Sequence, residues 1–121
     1  MTTFAEARTE VTAAMAGIGN GATSRPGGKG PPYVLFSGDG GDPGDVARGA
    51  FAYTWRIVLC AGGWEADQTA GVLDSMKQAA VTALRGLAGW QVGELGRDGI
   101  RTFSGSELLT AELRGVRMID I

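Results

Sequence analysis

Apolar and polar residues alternate from Phe51 to Cys60. Phe51, Tyr53, Trp55, Ile57 and Leu59 fall on one side, and Ala52, Thr54, Arg56, Val58 and Cys60 on the other. Successive side chains of a strand point to opposite faces, so this spacing predicts a strand with one aromatic and aliphatic face. Ala61-Gly62-Gly63 reads as its end, because paired glycines interrupt regular structure. The period then changes. Leu73, Met76, Ala80, Leu84 and Leu87 recur on one helical stripe, while Asp74, Lys77, Gln78 and Arg85 lie away from it. The expected core lays this stripe on the aromatic face of the strand.

Weaker patterns flank this unit. Thr3 to Ala16 predicts a helix with a Thr3-x-x-Glu6 capping box, Phe4, Val11, Ala14, Met15 and Ile18 near one face, and Gly17 and Gly19 as stop signals. Its polar face is not enriched in Lys or Arg, which favours a packing helix over a membrane-surface helix. Gly19 to Pro32 reads as a flexible loop. Tyr33 to Phe36 reads as a short strand, followed by an acidic turn from Gly38 to Asp45. Trp90 to Leu95 predicts a strand, and Gly96-Arg97-Asp98-Gly99 a hairpin turn. Ile100 to Gly105 fits either a continued hairpin or a loop. Leu108 to Ile121 predicts a long strand, with a one-residue slip after Gly115 that suggests a bulge. The fold class expected is α+β: a mainly antiparallel sheet of about four strands packed by two helices, in the order α-β-β-α-β-β. One domain over residues 1–121 is expected, with flexible loops near 19–32 and 38–48.

Composition narrows the function classes. A chain of 121 residues, 44% hydrophobic with a net charge of -2, fits one globular domain and gives no general attraction to nucleic acid. The absence of histidine removes the commonest general base and zinc ligand together. Cys60 is the only cysteine and has no histidine to activate it. Ser37, Ser75, Ser104 and Ser106 lack both a base and a nucleophile-elbow context. Gly28-Lys29 is followed by Gly30 and precedes a strand, so it is not a phosphate-binding loop. Asp39, Asp42 and Asp45 lack the spacing of a calcium loop. Trp55 reads as core, with Trp64 and Trp90 clamping the ends of the second helix. No apolar run approaches the ~20 residues of a membrane span. The N-terminus lacks the segments of a signal peptide, so a cytoplasmic site of synthesis is expected. No catalytic residue, metal or cofactor is assigned, and the chain is not expected to be an enzyme.

Two strands of about 11 residues, Phe51–Ala61 and Leu108–Met118, would each run roughly 35 Å. A domain of this size has a radius of gyration of roughly 13–14 Å. Such strands project beyond one small core, and their open edges call for a covering neighbour.

The element order resembles that of the tail terminator proteins of long-tailed bacteriophages. So do Pro32-Tyr33-Val34-Leu35 before an acidic turn, the run from Ala50 to Leu59, the Gly-rich break, the helix from about Asp67 and the final strand from Leu108 to Met118. The resemblance covers nearly the whole chain. It implies a structural virion protein of the tail–neck region: a ring, usually hexameric, that caps the completed tail tube, joins it to a head-closure or neck protein, and passes DNA through its lumen without reading its sequence. Asp39, Asp42, Asp45, Arg97, Asp98 and Arg101 then become candidate interface or lumen-loop residues. Arg56, Arg114 and Arg117 become candidate inter-subunit strand residues. The isolated protein is expected to be monomeric at low concentration. Another head–tail connector and a small α+β ligand-binding domain or enzyme stand as alternatives.

Overall fold

The computed structural model describes residues 2–24, 30–41, 50–103 and 105–120. In chain order the elements are helix α1 (Phe4–Met15), strands β1 (Ala22–Thr23), β2 (Tyr33–Gly40) and β3 (Ala50–Gly63), helix α2 (Thr69–Arg85), and strands β4 (Trp90–Leu95), β5 (Gly99–Phe103) and β6 (Ser106–Asp120). The strands form one six-stranded sheet in the order β1-β2-β3-β6-β4, with β5 also paired to β6. Only the β1–β2 pairing is parallel among these. The fold is therefore α+β, but the expected count of about four strands and the order α-β-β-α-β-β are corrected by six strands in the order α-β-β-β-α-β-β-β.

Each difference has a local cause. Ala22 and Thr23, expected within a flexible loop, pair with Val34 and Leu35. β2 continues past Phe36 to Gly40, so Asp39 lies on a strand rather than in an acidic turn. β3 runs through Gly62 and ends at Gly63, so the glycine pair does close the strand. A register shift between Cys60 and Gly62 absorbs the irregularity, and Gly62 takes a φ of 149° that other residues disfavour. Asp98-Gly99 does not close a hairpin, because β4 and β5 both pair with successive parts of β6 instead of with each other. No slip follows Gly115: Trp55 pairs with Gly115, Thr54 with Val116 and Ala52 with Met118 in unbroken register. Val116 and Met118 simply belong to the opposite face.

Both helices cover one face of the sheet. Thr3 caps α1 by accepting from the Glu6 amide at 3.2 Å, and its hydroxyl donates to the Glu6 carboxylate at 3.4 Å. α1 buries Ala7, Val11 and Met15, and α2 buries Leu73, Met76, Ala80 and Leu84. They meet Phe51, Trp55, Ile57 and Leu59 of β3 and Ala111, Leu113 and Ile119 of β6 in one cluster. Rings run along the edge of this core, from Phe4 to Tyr53 at 5.0 Å, Tyr53 to Trp55 at 5.2 Å and Trp55 to Trp90 at 6.5 Å. Trp90 is buried at the far end of α2, whereas Trp64 is 44% exposed and clamps nothing.

At Gly115 the sheet backbone meets the packed side chains of the core. A Cβ there would stand 3.0 Å from Leu84 Cδ2 and 3.2 Å from the Trp90 ring. Gly115→Val is expected to lower stability by ~1–3 kcal/mol through overpacking. Leu84→Ala is expected to cost ~2–5 kcal/mol through the cavity it leaves. Urea unfolding with an unchanged slope checks both.

Candidate functional site

The other face of the sheet carries no helix among the described residues, and its side chains follow from strand register. Arg56 of β3 stands opposite Ser37 of β2 and Arg114 of β6. Two like charges placed directly across a ladder repel. Two carboxylates offset this. Asp39 bridges the pair, with Oδ2 2.5 Å from Arg114 Nη1 and Oδ1 3.6 Å from Arg56 Nη2. Glu112 gathers three guanidinium groups: Oε1 lies 3.1 Å from Arg101 Nη2 and 3.5 Å from Arg56 Nε, and Oε2 lies 3.4 Å from Arg114 Nη2. Arg56 Nε is buried and makes this ion pair without hydrogen-bond geometry. The arginine side chains remain about two-fifths exposed, at 39%, 41% and 42% for Arg56, Arg101 and Arg114.

Beside this network lies a small apolar cluster of Tyr33, Val58, Cys60 and Leu108, flanked by Leu35 and Phe103. Burial pushes the Cys60 thiol up from its ordinary 9.0 to about 11, against smaller opposing effects from the Tyr33 hydrogen bond and the Arg101 charge. A thiol so protonated is a poor nucleophile, and Cys60 acts here as a small apolar residue.

The candidate residues therefore divide. Asp39, Arg56, Arg101 and Arg114 come together on one face. Arg117 does not join them: it lies on the helix side, where Nε donates to Glu10 at 3.2 Å and Nη2 to Thr2 at 2.9 Å. Asp98 pairs with Lys77 at 2.6 Å. The Asp98 hydrogen bond, with lesser help from Asp74, holds the Lys77 ammonium above its usual range. Arg97 is exposed. Asp42 and Asp45 lie outside the described residues, as does Ser104. Among the described residues no group of three or more His, Cys, Asp or Glu side chains is placed to hold a metal ion. No described helix is long and apolar enough to cross a membrane. Glu112, the hub of the network, is absent from the sequence candidates. Its signal was the Glu112-x-Arg114 alternation, which places both side chains on one strand face.

The face offers a flat, mixed-charge surface beside an apolar cluster. Such a surface can be matched by another surface that answers its charges. No protein-family model matches this chain, and no curated protein matches it in sequence.

Two outcomes are expected. Glu112→Gln should lower stability by about 1–2 kcal/mol at low salt, because Arg101 then loses its carboxylate and Arg56 and Arg114 share Asp39 alone. Added salt should shrink that deficit by screening their repulsion, and denaturation at several ionic strengths reads it directly. For Cys60, the folded state holds its proton more tightly than the unfolded chain. Its stabilising contribution is complete below pH 9.0 and is lost as pH rises to about 11, with a slope of at most ~1.4 kcal/mol per pH unit. Alkylation should accordingly be slow in the native protein at neutral pH and fast once it is unfolded; rapid native labelling would contradict the buried assignment.

Proposed function

We propose that this chain is a structural virion protein of the tail-terminator type, which assembles as a ring on the completed tail tube and joins it to the neck. The observation that carries this reading is the β3–β6 ladder. It runs without interruption of pairing partners from Ala50–Asp120 to the bulge at Cys60 and on to Gly63–Leu108. A 14-residue strand of this kind spans roughly 45 Å, more than twice the length of an ordinary strand of about 5–6 residues. Its helix-free face presents paired charges among the described residues. A protein that works by surface contact needs such a platform.

Two features bear on the details. Asp39 is already neutralised by Arg56 and Arg114, so its part in this reading is to hold the face together and not to stand as a bare acid in a lumen. The open sheet with both helices on one side also differs from the closed barrels or two-sheet sandwiches of other connectors, which favours the terminator reading over that alternative. The partners of this reading are further copies of the chain, the tail tube protein and a head-closure or neck protein. DNA passes through without sequence-specific contacts.

Cryo-electron microscopy of intact particles from the phage encoding this chain tests the proposal. A ring of this chain between tube and neck is the expected outcome. Its absence from the particle, or a single copy away from the tube axis, would rule the reading out.

A further inference from the structure

The cations left without an ion pair gather on one side of the molecule. Lys77 engages Asp74 and Asp98, Arg117 engages Glu10, and the arginines of the helix-free face share Asp39 and Glu112. Arg8 lies over the rings of Phe36 and Trp55. Among the described residues this leaves Arg85 and Arg97 as the cations with neither an ion pair nor an aromatic partner. Arg85 ends α2, and Arg97 lies between β4 and β5. Arg85 and Leu95 line one hollow of about 380 Å³, and Arg97 follows Leu95 by two residues. This side also exposes apolar surface, with Leu95 at 41% and Ile100 at 52%. Beside them runs the outer edge of β4, which no described strand covers. Glu94 is the one unpaired carboxylate there.

The opposite chemistry collects at the tip of the ladder. Trp64, 44% exposed, borders an open hollow of about 580 Å³ together with Glu65, Gly105 and Glu107. Glu65, Asp67 and Glu107 have no cation partner among the described residues. Glu65 and Asp67 precede α2, whose N-terminus favours acids in any case. Glu107 lies on β6 and has no such reason to be acidic.

We infer that these two patches are the two halves of one contact between copies of this chain: the Trp64–Glu107 tip of one copy receives the Leu95–Ile100 edge and the Arg85 and Arg97 guanidinium groups of the next. Each patch is a half-exposed apolar centre with unpaired charge at its rim, and the rims are opposite in sign. A guanidinium also fits over an indole face. The patches differ, so the contact is heterologous and repeats head to tail, the arrangement that closes into rings. The contact deepens the ring reading above and rests on it.

Sedimentation velocity on the full chain, from dilute solution to its solubility limit, tests the contact. The wild type is expected to associate with rising concentration, and less so with added salt. Arg97→Glu and Glu107→Arg should each raise the concentration needed by about tenfold or more, since like charges then meet at the rim. Their equimolar mixture should restore association, because the edge of each variant now complements the tip of the other. Trp64→Ala should weaken association without changing circular dichroism, its side chain being outside the core. A wild type that stays monomeric at every concentration, single reversals without effect, or a mixture that fails to recover would each overturn the contact. An oligomer indifferent to the reversals would leave the ring reading intact, while absence of the chain from particles would end that reading whatever the reversals do.

Discussion

The register between β3 and β6 is the constraint on which the other elements depend. Side-chain direction alternates with a period of two, so a slip of one residue would turn the core face of either strand to solvent. With Ile57 opposite Leu113 and Leu59 opposite Ala111, the helix side is apolar. The same register places Arg56 opposite Arg114 on the other side. The remaining sheet grows outward from this pair. β2 attaches to β3, β4 and β5 share the free side of β6, and both helices close over the apolar face.

Glycines mark where that register meets crowded surroundings. Gly38 pairs with Trp55, and a Cβ on it would collide with the Tyr53 hydroxyl. The missing side chain lets the ring of Tyr53 lie across β2 and keep its contacts with Phe4 and Trp55. One residue on, strand alternation puts Asp39 on the helix-free face, within reach of both Arg56 and Arg114, and the register shift between Gly38 and Gly40 falls there. Core packing on one side and charge compensation on the other thus pass through the same three residues of β2.

Strong periodicity was legible in the chain, and strand pairing was not. The Phe51–Leu59 alternation and the Leu73–Leu84 stripe face each other, because each pattern extends over enough residues to leave one low-energy arrangement. Gly62-Gly63 did mark the end of β3, but the bulge before Gly62 left no signal of its own, because only the partner strand reveals a shift of register. β1 escaped notice because two residues paired through backbone groups leave no side-chain signature. Of the candidate site, the arginines were visible as isolated charges, but Arg117 and Arg114 lie on opposite faces, and Glu112 as the hub required knowing what stands across from it. Local sequence reports which face a residue takes on its own strand; cross-strand neighbours belong to the topology.

The ion pairs of the helix-free face are poor candidates for a purely stabilising role. Exposed pairs of this kind contribute about 0–1 kcal/mol each. Apolar residues at the same positions would extend the Tyr33–Val58–Cys60–Leu108 cluster and bury more surface from water. They would also leave a flat apolar sheet face, free to stack on any similar surface. Arg56, Arg101 and Arg114, held in place by Asp39 and Glu112, exclude that outcome at small cost in stability. The face then accepts a partner that answers its charges and rejects one that merely buries apolar area. This separates the work of folding, done mainly on the helix side, from the choice of contacts, made outside it.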